Sequence, residues 1–231
     1  MLNHNSIYKK YSDISINWLT SDTAELYKKN LIEKRSLLEQ NNWIDRKFTY
    51  TFNSEGFRSE RFTNTPTVMF LGCSDTIGIG LPVEAIWPTL VAKQLNMSCA
   101  NLGQGGGSAD TAFRLCLGWI DKIKPKMVIF LQPPGIRWEL LKYQKIEFLG
   151  TGFPFQDYEK YMNEYWADDN NHHFNTEKNT LAIQQLCEQR NIKFNKFAGM
   201  PFHDQEDLAR DLQHAGVKTH QLLADQICNK I

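Results

Sequence analysis

The sequence is short of several things, and each shortage excludes a class of protein. It has no surplus of charge: 26 basic residues stand against 26 acidic ones. No basic excess points to nucleic acid, and no polybasic tail points to a membrane surface. Its five cysteines (Cys73, Cys99, Cys116, Cys187 and Cys228) contain no CxxC pair. An odd count without that spacing fits neither a disulfide framework nor a zinc site. It predicts reduced thiols, with Cys73, Cys99 and Cys116 in the core, and a cytoplasmic or otherwise reducing compartment. No apolar run is long enough to span a bilayer, and Met-Leu-Asn-His-Asn-Ser does not lead into the apolar stretch of a secretory leader. Internal repeats and low-complexity tracts are missing too. What remains is a chain of 231 residues, enough to bury a core without staples and suited to one α/β domain with an extra segment.

The most informative stretch is Thr67-Val-Met-Phe-Leu-Gly-Cys-Ser-Asp-Thr-Ile-Gly-Ile-Gly80. A short apolar run stops at Gly72 and gives way to small polar residues, as a buried parallel strand does where it opens into a tight turn. A helix fits Ala85 to Leu95, with Ile86, Trp87, Leu90, Val91 and Leu95 inward. Ser98 to Leu102 reads as a second strand running into Gly103-Gln-Gly-Gly-Gly107-Ser108. A helix over 109–123 follows, then a third strand over 126–131 ending in Gln132-Pro-Pro-Gly135. Strand and helix alternating at this spacing predict right-handed βαβ units and a parallel sheet. The three glycine- or proline-marked loops then gather at one sheet edge, where chemistry sits in open α/β folds.

Residues 1–66 are expected to form an arm, a helix and a strand that pack on the domain at 67–231. The arm carries Tyr8, Tyr11 and Trp18. Asp22-Thr-Ala-Glu25 resembles a capping box and predicts one helix over about 23–41, with Leu31, Ile32, Leu37 and Leu38 on its apolar face. Lys47 to Phe52 alternates like a strand with one buried face and ends in the turn-like Asn53-Ser-Glu-Gly-Phe-Arg58. Arg58 reads as a surface or ion-paired arginine, with the holding of a loop or the binding of an anion as the alternatives. An aromatic-rich insertion at about 137–180 suits a substrate wall, a partner surface or a small helical cap. His172 and His173 read as an exposed loop pair rather than a metal site. A helix over 176–190, a strand over 192–197 and an amphipathic helix over 217–227 complete the chain.

Ser74 stands where a nucleophile is useful, but a free hydroxyl needs a base, usually a histidine oriented by a carboxylate. Asp211-Leu-Gln-His214 offers both in one turn before the last helix. His203 and His220 are rival bases; His220 falls inside that helix and reads as a packing or capping histidine.

In order, Gly72-Cys-Ser74-Asp-Thr76, Asn101-Leu-Gly-Gln-Gly-Gly106 and Asp211-x-x-His214 resemble the blocks of the SGNH hydrolase (GDSL-type esterase/lipase) superfamily. The wording Gly-Cys-Ser-x-Thr is similar to a branch with cysteine in place of aspartate, known from bacterial and phage sequences. The likeness runs from about Thr67 to the end of the chain, with 137–190 poorly covered. It implies a flavodoxin-like three-layer α/β/α sandwich with a central parallel sheet. It implies Ser74 as nucleophile, His214 as general base and Asp211 as its partner. The backbone N–H groups of Ser74 and Gly106 become the oxyanion donors. The implied reaction is ester cleavage through an acyl-enzyme, on a small ester or the O-acetyl group of a saccharide, without metal or organic cofactor.

One block departs from the pattern. Where the family places an asparagine after the third strand, this chain has Leu131-Gln-Pro-Pro-Gly135. Gln132 is the candidate substitute donor, and Arg137 a candidate substrate-binding cation, with an Arg137–Glu139 ion pair as its alternative. Losing one oxyanion donor costs on the order of a hundredfold in rate. Two alternatives therefore stay open: a catalytically weak or silent binding module on the same fold, and an acyltransferase using the same triad.

Overall fold

The computed structural model describes residues 3–63, 65–134, 136–142, 145–150, 171–199 and 206–231. Four parallel strands form its central sheet: β3 (Thr67–Leu71), β4 (Ser98–Asn101), β5 (Met127–Leu131) and β8 (Lys193–Phe197), in the order β4-β3-β5-β8. β3 and β5 are buried on both faces, which is why they read as continuous apolar runs rather than alternating ones. Met69 and Leu71 of β3 and Val128 and Phe130 of β5 face one layer, made by α5 (Ala109–Ile123) and α6 (Asn171–Glu188). Val68, Phe70, Ile129 and Leu131 face the other, made by α4 (Trp87–Gln94) and α7 (Val217–Cys228). This is the three-layer α/β/α sandwich that the blocks imply. The chain reverses its direction of sheet growth between β3 and β5, so their C-terminal loops flank the crevice where such sheets bind ligands.

The helices end for local reasons. α5 starts at a reciprocal cap, with Thr111 N–H on Ser108 Oγ and Ser108 N–H on Thr111 Oγ1 at 3.1 Å. α4 opens with Pro88 in its first turn, where a missing N–H costs nothing. The N–H of Trp87, its first residue, donates to His220 Nδ1 of α7 at 3.0 Å, so His220 is a capping histidine.

Several expected elements differ. The helix over 23–41 is two helices, α1 (Ala24–Glu33) and α2 (Arg35–Gln40), broken at Lys34. Of its expected apolar face Leu38 is buried, whereas Ile32 is 86% exposed. The N-cap of α1 is Thr23, whose side chain accepts from Leu26 N–H, and the expected capping residue Asp22 is committed elsewhere. The strand over 47–52 shrinks to β2 (Tyr50–Thr51), paired antiparallel with β1 (Ser15–Ile16). In the aromatic insertion, β6 (Arg137–Lys142) and β7 (Lys145–Gly150) form an antiparallel hairpin. The rest of that insertion up to 170, and His203, lie outside the described residues. α6 begins five residues before the expected 176, so His172 and His173 sit in its first turn with ring centroids 4.1 Å apart. All five cysteines are free; Cys73, Cys116 and Cys187 are buried, while Cys99 and Cys228 are partly exposed. Among the described residues no helix is long and apolar enough to cross a membrane.

Candidate active site

The loop between β8 and α7 brings Asp211 and His214 together by its own hydrogen bonding. Leu208 and Ala215 bridge, Ala209 N–H donates to His214 O at 2.8 Å, and Gly216 N–H donates to Asp207 O at 2.8 Å. At the tip Leu212 takes φ of 55°, an uncommon conformation for a residue with a side chain. That bend lets Asp211 Oδ1 accept the N–H groups of Gln213 and His214 at 3.0 and 3.1 Å, a local Asx turn. Asp211 Oδ2 then receives His214 Nδ1 at 2.7 Å. The carboxylate thus holds Nδ1 protonated and leaves Nε2 as the basic nitrogen.

Ser74 opens α3 (Ser74–Ile77), the short helix that follows β3 directly. Gly72 makes this turn possible: a Cβ there would stand 2.1 Å from Thr76 Oγ1 and 2.9 Å from Leu131 O. Ser74 is 8% exposed, and its hydroxyl contacts Cys73 Sγ at 3.9 Å. No hydrogen bond joins Ser74 to His214 among the described residues, so the hydroxyl–imidazole contact expected of a relay is not closed here. A serine hydroxyl has three staggered positions about Cα–Cβ, and such contacts commonly tighten only with substrate in place.

The second loop lies against the first. Asn101 ties them, donating from Nδ2 to Thr76 O at 2.7 Å while its Oδ1 accepts Gly103 N–H at 3.0 Å. Gly106 takes φ of 77° at the third position of a turn closed by Gly107 N–H on Gln104 O at 3.0 Å, a place that favours glycine. Among the described residues neither Ser74 N–H nor Gly106 N–H has a hydrogen-bond acceptor, so both remain available to a developing oxyanion.

The third loop contributes less. Gln132 is half-buried, and its N–H is spent on Phe197 O at 2.9 Å. Pro133 and Pro134 have no N–H to offer. Arg137 does not pair with Glu139. Glu139 instead holds Arg114 of α5 in a buried two-pronged pair, and Glu139 N–H donates to Asp110 Oδ2 at 3.2 Å. These contacts fasten β6 to α5, and the Arg137 charge is felt at Cys73, Asp75 and His214.

The electrostatics favour a working imidazole. Burial disfavours the charged form of His214, but Asp211, with Asp75 as a further acidic neighbour, outweighs it and holds the imidazole pKa above its ordinary value. Burial would raise the Asp211 carboxyl, yet hydrogen bonds from His214, Ser21 and Gln213 N–H keep it below its usual range. Desolvation pushes Asp75 and the Cys73 thiol up, so Cys73 is no thiolate nucleophile.

A set of buried polar residues lies behind the site, and of these only Arg58 had a matching expectation. Asp22 is 1% exposed and accepts Arg210 Nη2 at 2.6 Å, Arg210 Nε at 3.0 Å and Tyr50 Oη at 2.5 Å. Tyr50 Oη in turn accepts Gly80 N–H at 2.7 Å. Arg58 is buried, not a surface arginine: it donates to Ile77 O at 3.0 Å, Gly78 O at 2.6 Å and Leu81 O at 2.6 Å. It therefore fixes the segment just after Ser74, the loop-holding alternative above. Burial lowers its pKa to about 10, which leaves it charged at neutral pH. The only sequence signal for Arg58 is its place in a turn ahead of the strand that leads to Ser74; Asp22 and Arg210 give none.

No family model matches the chain, and no curated protein matches it. Solved structures similar to it include the psychrotrophic esterase EstA from a Pseudoalteromonas species, at 18% identity, covering 71% of this chain and 94% of that one, with a TM-score of 0.40. Another, described as a lipolytic protein of the G-D-S-L family from Desulfitobacterium hafniense, has 16% identity, coverage of 71% and 99%, and a TM-score of 0.39. The acetyl xylan esterase Est2A from Butyrivibrio proteoclasticus has 14% identity and a TM-score of 0.37; the match covers 71% of this chain and 62% of that one.

Proposed function

We propose that the protein is a serine hydrolase that cleaves a small ester. Ser74 Oγ attacks the carbonyl carbon while His214 Nε2 takes its proton. The tetrahedral oxyanion is held by the N–H groups of Ser74 and Gly106, with Gln132 as a side-chain donor. Collapse expels the alcohol, which takes the proton from His214, and leaves an acyl-Ser74 ester. Water then attacks that ester, again with His214 as base, and releases the acid and free Ser74. The observation that carries this reading is the Asp211 Oδ2–His214 Nδ1 bond of 2.7 Å, in a loop whose imidazole and the acidic residue next to Ser74 feel one another's charge.

The near-complete burial of Ser74 favours a small acyl group. An acetyl ester on a saccharide fits that limit, with Arg137, whose charge acts on His214, as a cation to meet the alcohol part. A fluorophosphonate probe tests the reading: labelling of the wild type that vanishes in Ser74→Ala supports it. A folded wild type that stays unlabelled overturns it in favour of a binding module on the same fold. One feature favours that second reading: the third loop spends its backbone donor on Phe197 and continues into two prolines. Acyl transfer would use the same residues, and product analysis with a competing hydroxyl acceptor separates it from hydrolysis.

A further inference from the structure

Asp211 has room for about four hydrogen bonds on its two oxygens, and all four are present. Three come from its own loop: the N–H groups of Gln213 and His214 on Oδ1, and His214 Nδ1 on Oδ2. The fourth comes from the far end of the chain. Ser21 Oγ donates to Asp211 Oδ2 at 2.8 Å across a separation of 190 residues. Oδ2 is the oxygen that also holds the imidazole.

The placement of Ser21 is built rather than incidental. It sits in a tight turn in which Leu19 and Asp22 exchange backbone hydrogen bonds at 2.9 and 3.0 Å, with Thr20 at φ of 53°. The next residue, Asp22, is clamped by Arg210, the residue just before Asp211. Two adjacent residues of the arm thus grip two adjacent residues of the catalytic loop. Asn30 of α1 adds a weaker contact, Nδ2 to Asp211 O at 3.4 Å.

We infer that Ser21 is a positioning residue of this site: its hydroxyl fixes the Asp211 carboxylate and shares the oxygen that orients His214. The inference rests on the hydrolase reading for its effect on rate, but not for its effect on the imidazole. Removing the hydroxyl leaves Oδ2 to His214 alone, which strengthens the carboxylate's pull on the imidazolium while loosening the carboxylate's orientation. Other titratable or charged groups facing His214 are Asp75 on α3, Arg137 on β6 and the neutral, buried His220 on α7, and a Ser21 substitution leaves all of them in place.

The test compares wild type, Ser21→Ala and Ser21→Thr. The His214 ring-proton resonance, assigned with His214→Asn, is titrated by NMR, and fluorophosphonate labelling rates are measured across the same pH range. The expected result is a higher His214 midpoint in Ser21→Ala. Its limiting labelling rate should fall by about tenfold, the size expected for one hydrogen bond to a charged group, and both values should return in Ser21→Thr. An unchanged His214 titration in Ser21→Ala overturns the inference, whether or not the protein labels. So does a Ser21→Thr variant that behaves like Ser21→Ala while keeping the wild-type melting temperature. A wild type that titrates as expected but never labels overturns the hydrolase reading instead.

Discussion

Acid should unfold this protein partly through one histidine. His220 is 1% exposed, and its Nδ1 accepts the Trp87 N–H that opens α4. It must be neutral to accept there. Burial, reinforced by the charges of His214 and Arg58, lowers its pKa from 6.5 to about 3. The folded pKa is therefore depressed below the unfolded one. Between those two values the unfolded chain holds a proton on His220 that the native protein does not. Stability from this group is fully present above pH 6.5 and drains away as the pH falls towards 3. Each pKa unit is worth about 1.4 kcal/mol, so the whole displacement amounts to roughly 4–5 kcal/mol.

The perturbation is His220→Asn, whose Oδ1 can stand near Nδ1 and keep the Trp87 bond while losing the titration. Urea unfolding at steps from pH 4 to 6.5 gives the free energy at each pH. Wild type should lose stability faster than His220→Asn, the difference growing by up to about 1.4 kcal/mol per pH unit. Carboxylates elsewhere contribute equally to both proteins and cancel in that difference. Parallel curves for the two would show that His220 does not titrate between the two states, and would refute the account of its burial.

The buried pair behind the site should show the asymmetry of broken and replaced ion pairs. Asp22→Ala leaves Arg210 buried and uncompensated, a loss of about 3–5 kcal/mol, seen as a melting temperature lower by roughly 6–20 °C; Asp22→Ala with Arg210→Met should recover a large part of it. Arg58→Met removes three donors from the carbonyls of Ile77, Gly78 and Leu81, at about 1–3 kcal/mol for each one left dry. It should lower both the melting temperature and the labelling of Ser74. Because Asp211 holds the His214 pKa above its ordinary value, the acid limb of wild-type labelling should lie above about pH 6.5. Labelling falls as the pH drops through that limb and the base becomes protonated. A limb well below it would show that His214 is not the base.

The middle of the sheet was legible in the sequence because β3 and β5 are buried on both faces: an unbroken apolar run such as Val68 to Leu71 or Met127 to Leu131 has few other uses at that length. The Asp211–His214 pair was legible for a different reason, since an acid and a histidine three residues apart in a turn can meet without help from the rest of the chain. What escaped is what depends on distant partners. Asp22 looked like a cap because aspartate before a helix usually is one, whereas here a residue 188 positions away claims it. Arg58 looked like a surface residue because arginine usually is; the carbonyls of the turn after Ser74 and the Tyr50 ring, folded against it, offset its burial. Lys34 breaks the first helix within a pattern whose charges read as one solvated face. The pairing of β6 with β7 escaped because no glycine, proline or asparagine marks a turn between them.

The arm also limits how the molecule can be cut. Judged by its place in the chain it resembles an accessory, and a shortened version starting at Thr67 would keep every strand of the central sheet. Such a fragment would nevertheless carry Arg210 without its Asp22 counter-ion, and the carbonyls of Ile77, Gly78 and Leu81 without the Arg58 guanidinium. Anyone seeking a minimal version should keep the first sixty residues, or supply their carboxylate and guanidinium by some other route.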